Sequence, residues 1–337
     1  MRILKMSLWM MAALVLLFAL VILYLLQPSG KVSDFQHWQK QAQLQNTVSQ
    51  TAHAAYTVKF FGVSTLLFDD GKDQILIDGF FSRPSLSRII FKKIESDRAK
   101  VDQIIQVQDL KRTRAILVTH SHYDHALDVP YLAQQLPQAN VIGSKSTLNI
   151  ARGMHIPESQ LKSVKAWQPL QIGAFTITAI PSQHTPATAV NNDLGEEIQQ
   201  PLTLPARFSA FKEGGSFDYL IQHGAHRSLV KASTGAVPHQ LKNLKVDHLF
   251  LGIAQLSKQS ADFQDRYLQE TLATLKPHTV MPIHWDNFFA PLEPELEFLP
   301  RVADDSPASL NILIQAAKQQ KTQLILLSQP VSFELGS

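Results

Sequence analysis

The chain has 337 residues, of which 45% are hydrophobic and 18% are charged, and it contains no cysteine. This length holds one large domain or two ordinary ones, and the lack of cysteine excludes disulfides and thiolate metal sites. The formal net charge is +3, and from residue 27 onward 29 basic residues stand against 28 acidic ones. A nucleic-acid-binding protein usually has a clear excess of positive charge, which this chain lacks, so no nucleic-acid partner is expected.

The N-terminal segment has the features of a membrane anchor. Residues 7–26 carry no charge, and about twenty helical residues span roughly 30 Å, the hydrocarbon thickness of a bilayer. Arg2 and Lys5 precede them, which predicts a cytoplasmic tail (1–6), a single transmembrane helix and a chain that continues on the periplasmic or extracellular side. A cleaved signal peptide is the alternative, although Leu-Gln-Pro-Ser-Gly is a poor cleavage site.

Residues 27–55 are polar and rich in Gln and Ala, which predicts a linker or a short stalk helix. Three strands are predicted after it, over 56–62, 64–68 and 74–78, because each run is rich in aliphatic, β-branched and aromatic residues. Asp78 ends the third strand. Its carboxylate could orient a metal-binding histidine from behind or cap a turn, and the sequence leaves both readings open.

Residues 83–100 form a basic, amphipathic stretch in which Arg and Lys are interleaved with Leu, Ile and Phe. Such a stretch fits a lid or a helix that lies on an anionic membrane surface. It also fits an ordinary surface helix with a buried apolar stripe, and we favour that interpretation.

The densest cluster of metal-ligand side chains is Thr-His-Ser-His-Tyr-Asp-His at residues 119–125. An apolar strand is predicted before it (114–118) and a helix after it (126–133), so the cluster lies on a tight strand-to-helix loop. Imidazole and carboxylate together suit Zn²⁺ or another borderline divalent metal. The candidate ligands are His120, His122, Asp124 and His125.

Further candidates follow predicted strands downstream. His184 lies just beyond a predicted strand at 175–181, and His284 and Trp285 lie within the apolar run 279–288. The polar segment 186–216 is too long for a simple connection. Its position next to His184 favours a loop that faces a substrate.

The motif His-Ser-His-Tyr-Asp-His resembles the H-x-H-x-D-H signature of the metallo-β-lactamase superfamily. The opening runs Gly-x-Ser-x-Leu and Ile-Leu-Ile-Asp-Gly, and the later Pro-Ile-His-Trp-Asp, are similar to its lactonase-like, N-acyl-phosphatidylethanolamine phospholipase D-like branch. The resemblance implies an α/β fold, the four-layer αββα sandwich, for a hydrolase domain over residues 56–337. The predicted transmembrane helix would precede this domain.

The resemblance also implies two metal sites, one built from His120, His122 and His184 and the other from Asp124, His125 and His284. Zn²⁺ is the expected cofactor, as one or two ions, with Mn²⁺ or Fe²⁺ as alternatives. The branch usually has a metal-bridging Asp in a Gly-Asp-Thr-Gly motif, whereas this chain has Ser233 at that position. Because a hydroxyl lacks the charge that offsets two close dications, the number of metals is left open.

The expected function is a metal-dependent hydrolase that uses metal-activated water on a phosphodiester, a lactone or another ester, including lipid-derived ones. Asp124 is the expected catalytic residue, which would orient the nucleophile or transfer protons. Asp78 and Trp285 are expected behind the ligands or at the pocket. The alternative is a non-catalytic metal-binding or sensing domain whose second site is degenerate at Ser233.

Overall fold

A computed structural model describes residues 2–39, 56–188, 192–292 and 295–335 of the chain. Residues 40–55 of the predicted linker and residues 189–191 of the predicted substrate-facing loop lie outside the described residues. The first element is a 24-residue helix, α1 (Arg2–Leu25). After it the chain forms two seven-stranded sheets.

The first sheet contains the N-terminal strands and the last strand of the chain. Its strands are β1 (Tyr56–Phe60), β2 (Leu66–Asp69), β3 (Gln74–Ile77), β4 (Thr113–Leu117), β5 (Asn140–Gly143), β6 (Leu161–Ser163) and β14 (Ser332–Leu335). The spatial order is β14-β1-β2-β3-β4-β5-β6. In this spatial order, neighbouring strands are antiparallel from β14 through β1 and β2 to β3. From β3 through β4 and β5 to β6 they are parallel.

The second sheet contains the remaining strands. They are β7 (Leu170–Ile172), β8 (Phe175–Ser182), β9 (Ser216–His223), β10 (His226–Lys231), β11 (His248–Gly252), β12 (Thr279–Ile283) and β13 (Gln323–Leu324). The spatial order is β13-β12-β11-β10-β9-β8-β7. Strands β10 to β13 are parallel, whereas β7 to β10 are antiparallel.

The helices follow strands in chain order, and several begin at a side chain that caps them. They are α2 (Leu86–Phe91), α3 (Arg98–Val107), α4 (Tyr123–Ala126), α5 (Val129–Gln135), α6 (Lys145–Gly153), α7 (Ala261–Leu268) and α8 (Ser306–Gln320). Asp97, Ser144, Ser260 and Asp305 accept backbone N–H bonds at the first turns of α3, α6, α7 and α8. A π-helical turn, Gln269–Ala273, extends α7.

Alternation along the strands builds the layers, because successive side chains of a strand point to opposite faces. In β4, Ala115 and Leu117 join the core between the two sheets, whereas Ile116 joins a second core under the helices. Phe68 of β2 meets Phe250 of β11 edge to face, with ring centroids 5.9 Å apart. The two-sheet α/β sandwich expected from the sequence is therefore confirmed.

The stretch 83–100, predicted as one amphipathic surface helix, forms the separate helices α2 and α3. Each buries an apolar side of the predicted kind, through Ile89 in α2 and Val101 in α3. In α2, Phe91 remains 74% exposed.

Helix α1 ends against the domain, and the start of the predicted linker packs on it. Arg301 donates hydrogen bonds to the carbonyls of Tyr24 and Gln27, and its guanidinium lies over the Tyr24 ring. Val32 and Phe35 are buried in the core. Among the described residues, no helix is both long and apolar enough to cross a membrane.

Candidate metal centre

The candidate ligands all lie just beyond the carboxyl ends of strands. His120 and its neighbours follow β4, His184 follows β8, and His284 follows β12. Strands β8 and β12 run in the same direction within the second sheet, and β4 ends at the facing edge of the first sheet. Each sheet thus contributes ligands to one shared edge, where polar side chains can converge without interrupting the core.

Three imidazoles form the first group. The rings of His120, His122 and His184 lie with their centroids 4.7 to 4.9 Å apart. One nitrogen from each ring lies within 4.8 Å of the others, close enough to share one metal ion. The structure therefore brings together the first predicted trio.

The second group consists of Asp124, His125 and His284. Asp124 Oδ2 lies 3.6 Å from His125 Nε2 and 3.4 Å from His284 Nε2. The two groups are adjacent, because the ring centroids of His120 and His125 are only 3.8 Å apart. All six predicted ligands therefore lie in a single cluster.

The outer nitrogens of three imidazoles have polar partners. His125 Nδ1 lies 2.8 Å from Asp78 Oδ2, His184 Nδ1 donates to the Thr185 carbonyl at 2.9 Å, and His122 Nε2 lies 3.1 Å from an Asp193 oxygen. By contrast, the Nε2 atoms of His120 and His125 are buried without any hydrogen-bond partner among the described residues.

An unpartnered buried nitrogen is costly, and a metal ion in each trio would satisfy one of these two nitrogens. Three neutral imidazoles form the ligand set of an open catalytic zinc site, and two imidazoles with a carboxylate form another. The residues present therefore fit one divalent cation in each trio.

Burial also sets the protonation of the cluster. Burial is the main reason that the pKa of His120 lies well below its ordinary value and that the pKa of His184 is lowered to about 3. The neighbouring imidazoles lower both pKa values further. Burial alone would raise the pKa of Asp124, but the electrostatic interaction with His125 and the hydrogen bond with His284 outweigh burial, and the pKa is lowered. Neutral His120 and His184 beside an ionised Asp124 are the protonation states that metal binding requires.

Asp78 lies directly behind the second trio. It is completely buried and accepts hydrogen bonds from Ser64 Oγ, from the Thr119 backbone N–H at 2.7 Å and from the Thr119 hydroxyl. With His125 Nδ1 as its further partner, the carboxylate fixes which nitrogen of His125 faces the cluster. Of the two roles left open for Asp78, this contact favours the orienting one.

Four non-glycine residues around the second trio have left-handed backbone conformations. Their φ angles are 51° for Val63, 57° for Asp78, 43° for Arg83 and 59° for His284. Such conformations cost about 1–3 kcal/mol each and cluster at functional sites, where the surrounding structure holds them. These four outliers therefore mark the surroundings of the second trio as a candidate functional site.

Ser233 precedes Thr234, whose backbone N–H donates to the Thr185 hydroxyl at 3.1 Å, next to the ligand His184. Ser233 is buried in the loop after β10. That loop packs tightly on the His184 backbone, because a Cβ on Gly235 would lie 2.4 Å from the His184 carbonyl oxygen. His239 cannot replace a carboxylate here, because its side chain is 84% exposed and faces Glu270.

Trp285 packs beneath the centre in the core. It is completely buried, its indole N–H donates to the Pro282 carbonyl at 3.1 Å, and its ring contacts Phe60 and Phe298. Of the two positions expected for it, behind the ligands and at the pocket, the structure gives the first.

Two groups near the centre were not singled out from the sequence. Asp193, within the predicted substrate-facing segment, reaches His122. Asp286 ends the Pro-Ile-His-Trp-Asp motif and forms a buried ion pair with Arg83 at 2.5 Å. The only sequence signal for Asp286 was its place in that motif, and Asp193 had none beyond its proximity to His184 along the chain.

Comparison with known proteins agrees with this architecture. The sequence profile of the family described as Beta-lactamase superfamily domain matches residues 73–285. None of the proteins with curated descriptions matches the sequence significantly.

Several solved structures share the fold. CmlA, a diiron β-hydroxylase from Streptomyces venezuelae, is 16% identical with a TM-score of 0.51, over 83% of this chain and 54% of that one. The metallo-β-lactamase fold protein YhfI from Bacillus subtilis is 13% identical with a TM-score of 0.50, over 83% and 98%. A possible metal-dependent hydrolase from Veillonella parvula is 11% identical with a TM-score of 0.50, over 84% and 100%.

At these identities the similarity shows the fold alone. The fold and the paired histidine and aspartate clusters define a two-sheet α/β protein built to hold metal ions. Since the profile covers well over half of the sequence, the chain belongs to the β-lactamase superfamily domain family.

Proposed function

We propose that this protein is a metal-dependent hydrolase. The observation that carries the proposal is the convergence of two ligand trios in which His120 Nε2 and His125 Nε2 are buried with no hydrogen-bond partner in the part of the chain that the structure describes. A structural role alone gives no reason to bury such groups, whereas metal binding does.

The residues of the centre have distinct roles in this proposal. His120, His122 and His184 would hold one cation, and Asp124, His125 and His284 the other. A bound divalent cation supplies Lewis acidity and makes water an effective nucleophile near neutral pH. Asp124, ionised and in contact with both His125 and His284, would orient the attacking water or transfer protons.

For the substrate we propose a phosphodiester, a lactone or another ester, with lipid-derived esters included. The support is the likeness of the opening and closing motifs, around Asp78 and His284, to the lactonase-like and phospholipase D-like branch. From residue 27 onward the chain has almost equal numbers of acidic and basic residues, which argues against nucleic acid as the substrate.

The proposal is tested with purified full-length protein. Element analysis is combined with an activity screen over phosphodiesters, lactones and β-lactams. The His120→Ala and His184→Ala variants should lose both metal and activity, whereas the remote variant His278→Ala, in which an 82% exposed side chain is removed, should retain both. Hydrolysis that survives His120→Ala would refute the proposed site.

Ser233 supports a second candidate function, a metal-binding or sensing domain without turnover. Without the carboxylate usual at this position, the charge that offsets two close dications is reduced. Tight binding of metal by protein that hydrolyses none of the screened esters would favour this candidate over the hydrolase.

We also propose that the N-terminal helix attaches the domain to a membrane, with the N-terminus in the cytoplasm and the domain on the periplasmic or extracellular side. In support, every large apolar side chain described between Trp9 and Leu26 is exposed. No helix among the described residues is long and apolar enough to span a bilayer, so this proposal relies on the uncharged run 7–26 of the sequence and on Arg2 and Lys5 before it. Protease digestion of intact spheroplasts should remove the domain, and digestion only after lysis would refute the orientation.

A further inference from the structure

The segment between β8 and β9 was predicted to be a loop that faces a substrate. From residue 192 onward, where the structure describes it, this segment packs against the helices. Phe211 and Ile198 are buried in the core under the helices. Asn149 of α6 donates to the Ile198 carbonyl at 2.7 Å and accepts from the Leu202 N–H at 2.9 Å. These contacts fix the segment against the same helix layer that supports the metal-ligand loop.

Glu213 joins this segment to the ligand loop itself. Its carbonyl accepts the backbone N–H of Ser121, the residue between His120 and His122, at 2.9 Å. Its buried carboxylate accepts the Gly195 N–H at 2.9 Å and the Ser216 hydroxyl at 2.6 Å. The two ends of the described segment are therefore held together and tied to the ligand loop at one point.

Asp193 lies at this junction and points at the first trio. One carboxylate oxygen lies 3.1 Å from His122 Nε2, and the other accepts the Glu213 backbone N–H at 3.3 Å. The side chain of Asp193 is only 13% exposed. Because Nε2 of His122 is engaged by Asp193, Nδ1 is the nitrogen of that ring with a lone pair left for a metal.

We propose that Asp193 is a positioning residue that fixes the tautomer and orientation of His122, and so couples docking of the 192–215 segment to metal binding. A carboxylate that accepts the outer N–H of a metal-bound imidazole makes that imidazole a better donor and restricts its rotation. Asp193 also places a negative charge next to the centre, where Ser233 supplies none.

The inference rests on the proposed metal centre. Its test measures the Zn²⁺ dissociation constant of the full-length protein by competition with a chromophoric chelator. The variants are Asp193→Asn and Asp193→Ala, and the control is Glu197→Gln, which removes a carboxylate of the same segment whose partner is the exposed Lys145.

We expect Asp193→Asn and Asp193→Ala to weaken Zn²⁺ binding by about 10- to 100-fold and Glu197→Gln to leave it unchanged. The absorption spectrum of the Co²⁺-substituted protein should change in the Asp193 variants, since it reports ligand geometry rather than stability. Bound Zn²⁺ should also protect the 192–215 segment from proteolysis in the wild-type protein and less so in Asp193→Ala.

The outcomes separate the two proposals. Unchanged affinity and an unchanged Co²⁺ spectrum in both Asp193 variants, in a wild-type background that binds metal and hydrolyses esters, would overturn the role of Asp193 alone. A wild-type protein that binds no divalent metal would overturn the metal centre and this inference together.

Discussion

The buried ion pair between Arg83 and Asp286 gives the sharpest stability prediction. The side chains are 1% and 0% exposed, and the bond is 2.5 Å long. Asp286 Oδ1 also accepts the Val63 backbone N–H at 2.6 Å, while the Val63 carbonyl accepts the N–H of the ligand His284 at 2.6 Å. The pair thus supports the backbone that carries one metal ligand.

Asp286→Asn removes the charge but keeps an oxygen for Val63. The Arg83 guanidinium would then be buried with only carbonyl partners, those of Phe61 at 3.0 Å and Asn287 at 3.3 Å. Breaking a buried pair from one side costs about 3–5 kcal/mol, because a charge is left uncompensated. We therefore expect the free energy of unfolding to fall by roughly that amount, with a decrease in melting temperature on the order of 10 °C.

Urea unfolding of the metal-free protein measures this effect. The double variant Arg83→Met/Asp286→Asn should recover much of the loss, because it leaves no buried charge. The control Glu158→Gln breaks the exposed pair with Arg152 and should change stability little. If Asp286→Asn were no more destabilising than Glu158→Gln, the reasoning about this pair would be refuted.

Three further predictions concern Ser233, Asp78 and the buried His248. Ser233→Asp should tighten the binding of the second metal ion, because a carboxylate offsets the charge of two close dications; an unchanged affinity in a chelator competition would count against the bridging role of this position. Asp78→Asn should weaken metal binding by about 10- to 100-fold in a chelator competition, since His125 loses its orienting carboxylate; equal affinity would contradict it. Burial lowers the pKa of His248 to about 4, so the unfolded chain takes up its proton first as the pH falls. This residue's contribution to stability, up to about 3 kcal/mol, should therefore be complete above pH 6.5 and lost between about 6.5 and 4. Acid unfolding of metal-free His248→Gln should show a shallower pH dependence than the wild type, and parallel curves would exclude the effect.

The ligand motif was predictable because local spacing and strand context coincide there. The run 119–125 follows an apolar strand, and binding residues are often found on loops that a rigid scaffold positions. His184 and His284 needed the family resemblance, since a histidine beyond a strand has no partner that the sequence alone can identify. Their convergence depends on sheet order, which links β4, β8 and β12 across long sequence separations.

Most of the contacts that support the ligands could not be predicted from the sequence. Asp193 meets His122 across 71 residues and Arg83 meets Asp286 across 203, so no local pattern marks either pair. The left-handed conformations at Asp78 and His284 are likewise held by tertiary hydrogen bonds rather than by local propensity. The division of 83–100 into two helices follows from the turn at which Ile94 pairs with Ala206 of a distant segment.

The most direct test of the whole account is the metal content of freshly purified protein and its dependence on a ligand distant in sequence. The metal centre predicts one or two equivalents of zinc or a similar divalent metal in the wild type. It also predicts a clear loss in His184→Ala, whose side chain joins the cluster only through the fold. A wild type without bound metal, or a His184→Ala variant with full metal content, would contradict the convergence of the six side chains on one centre.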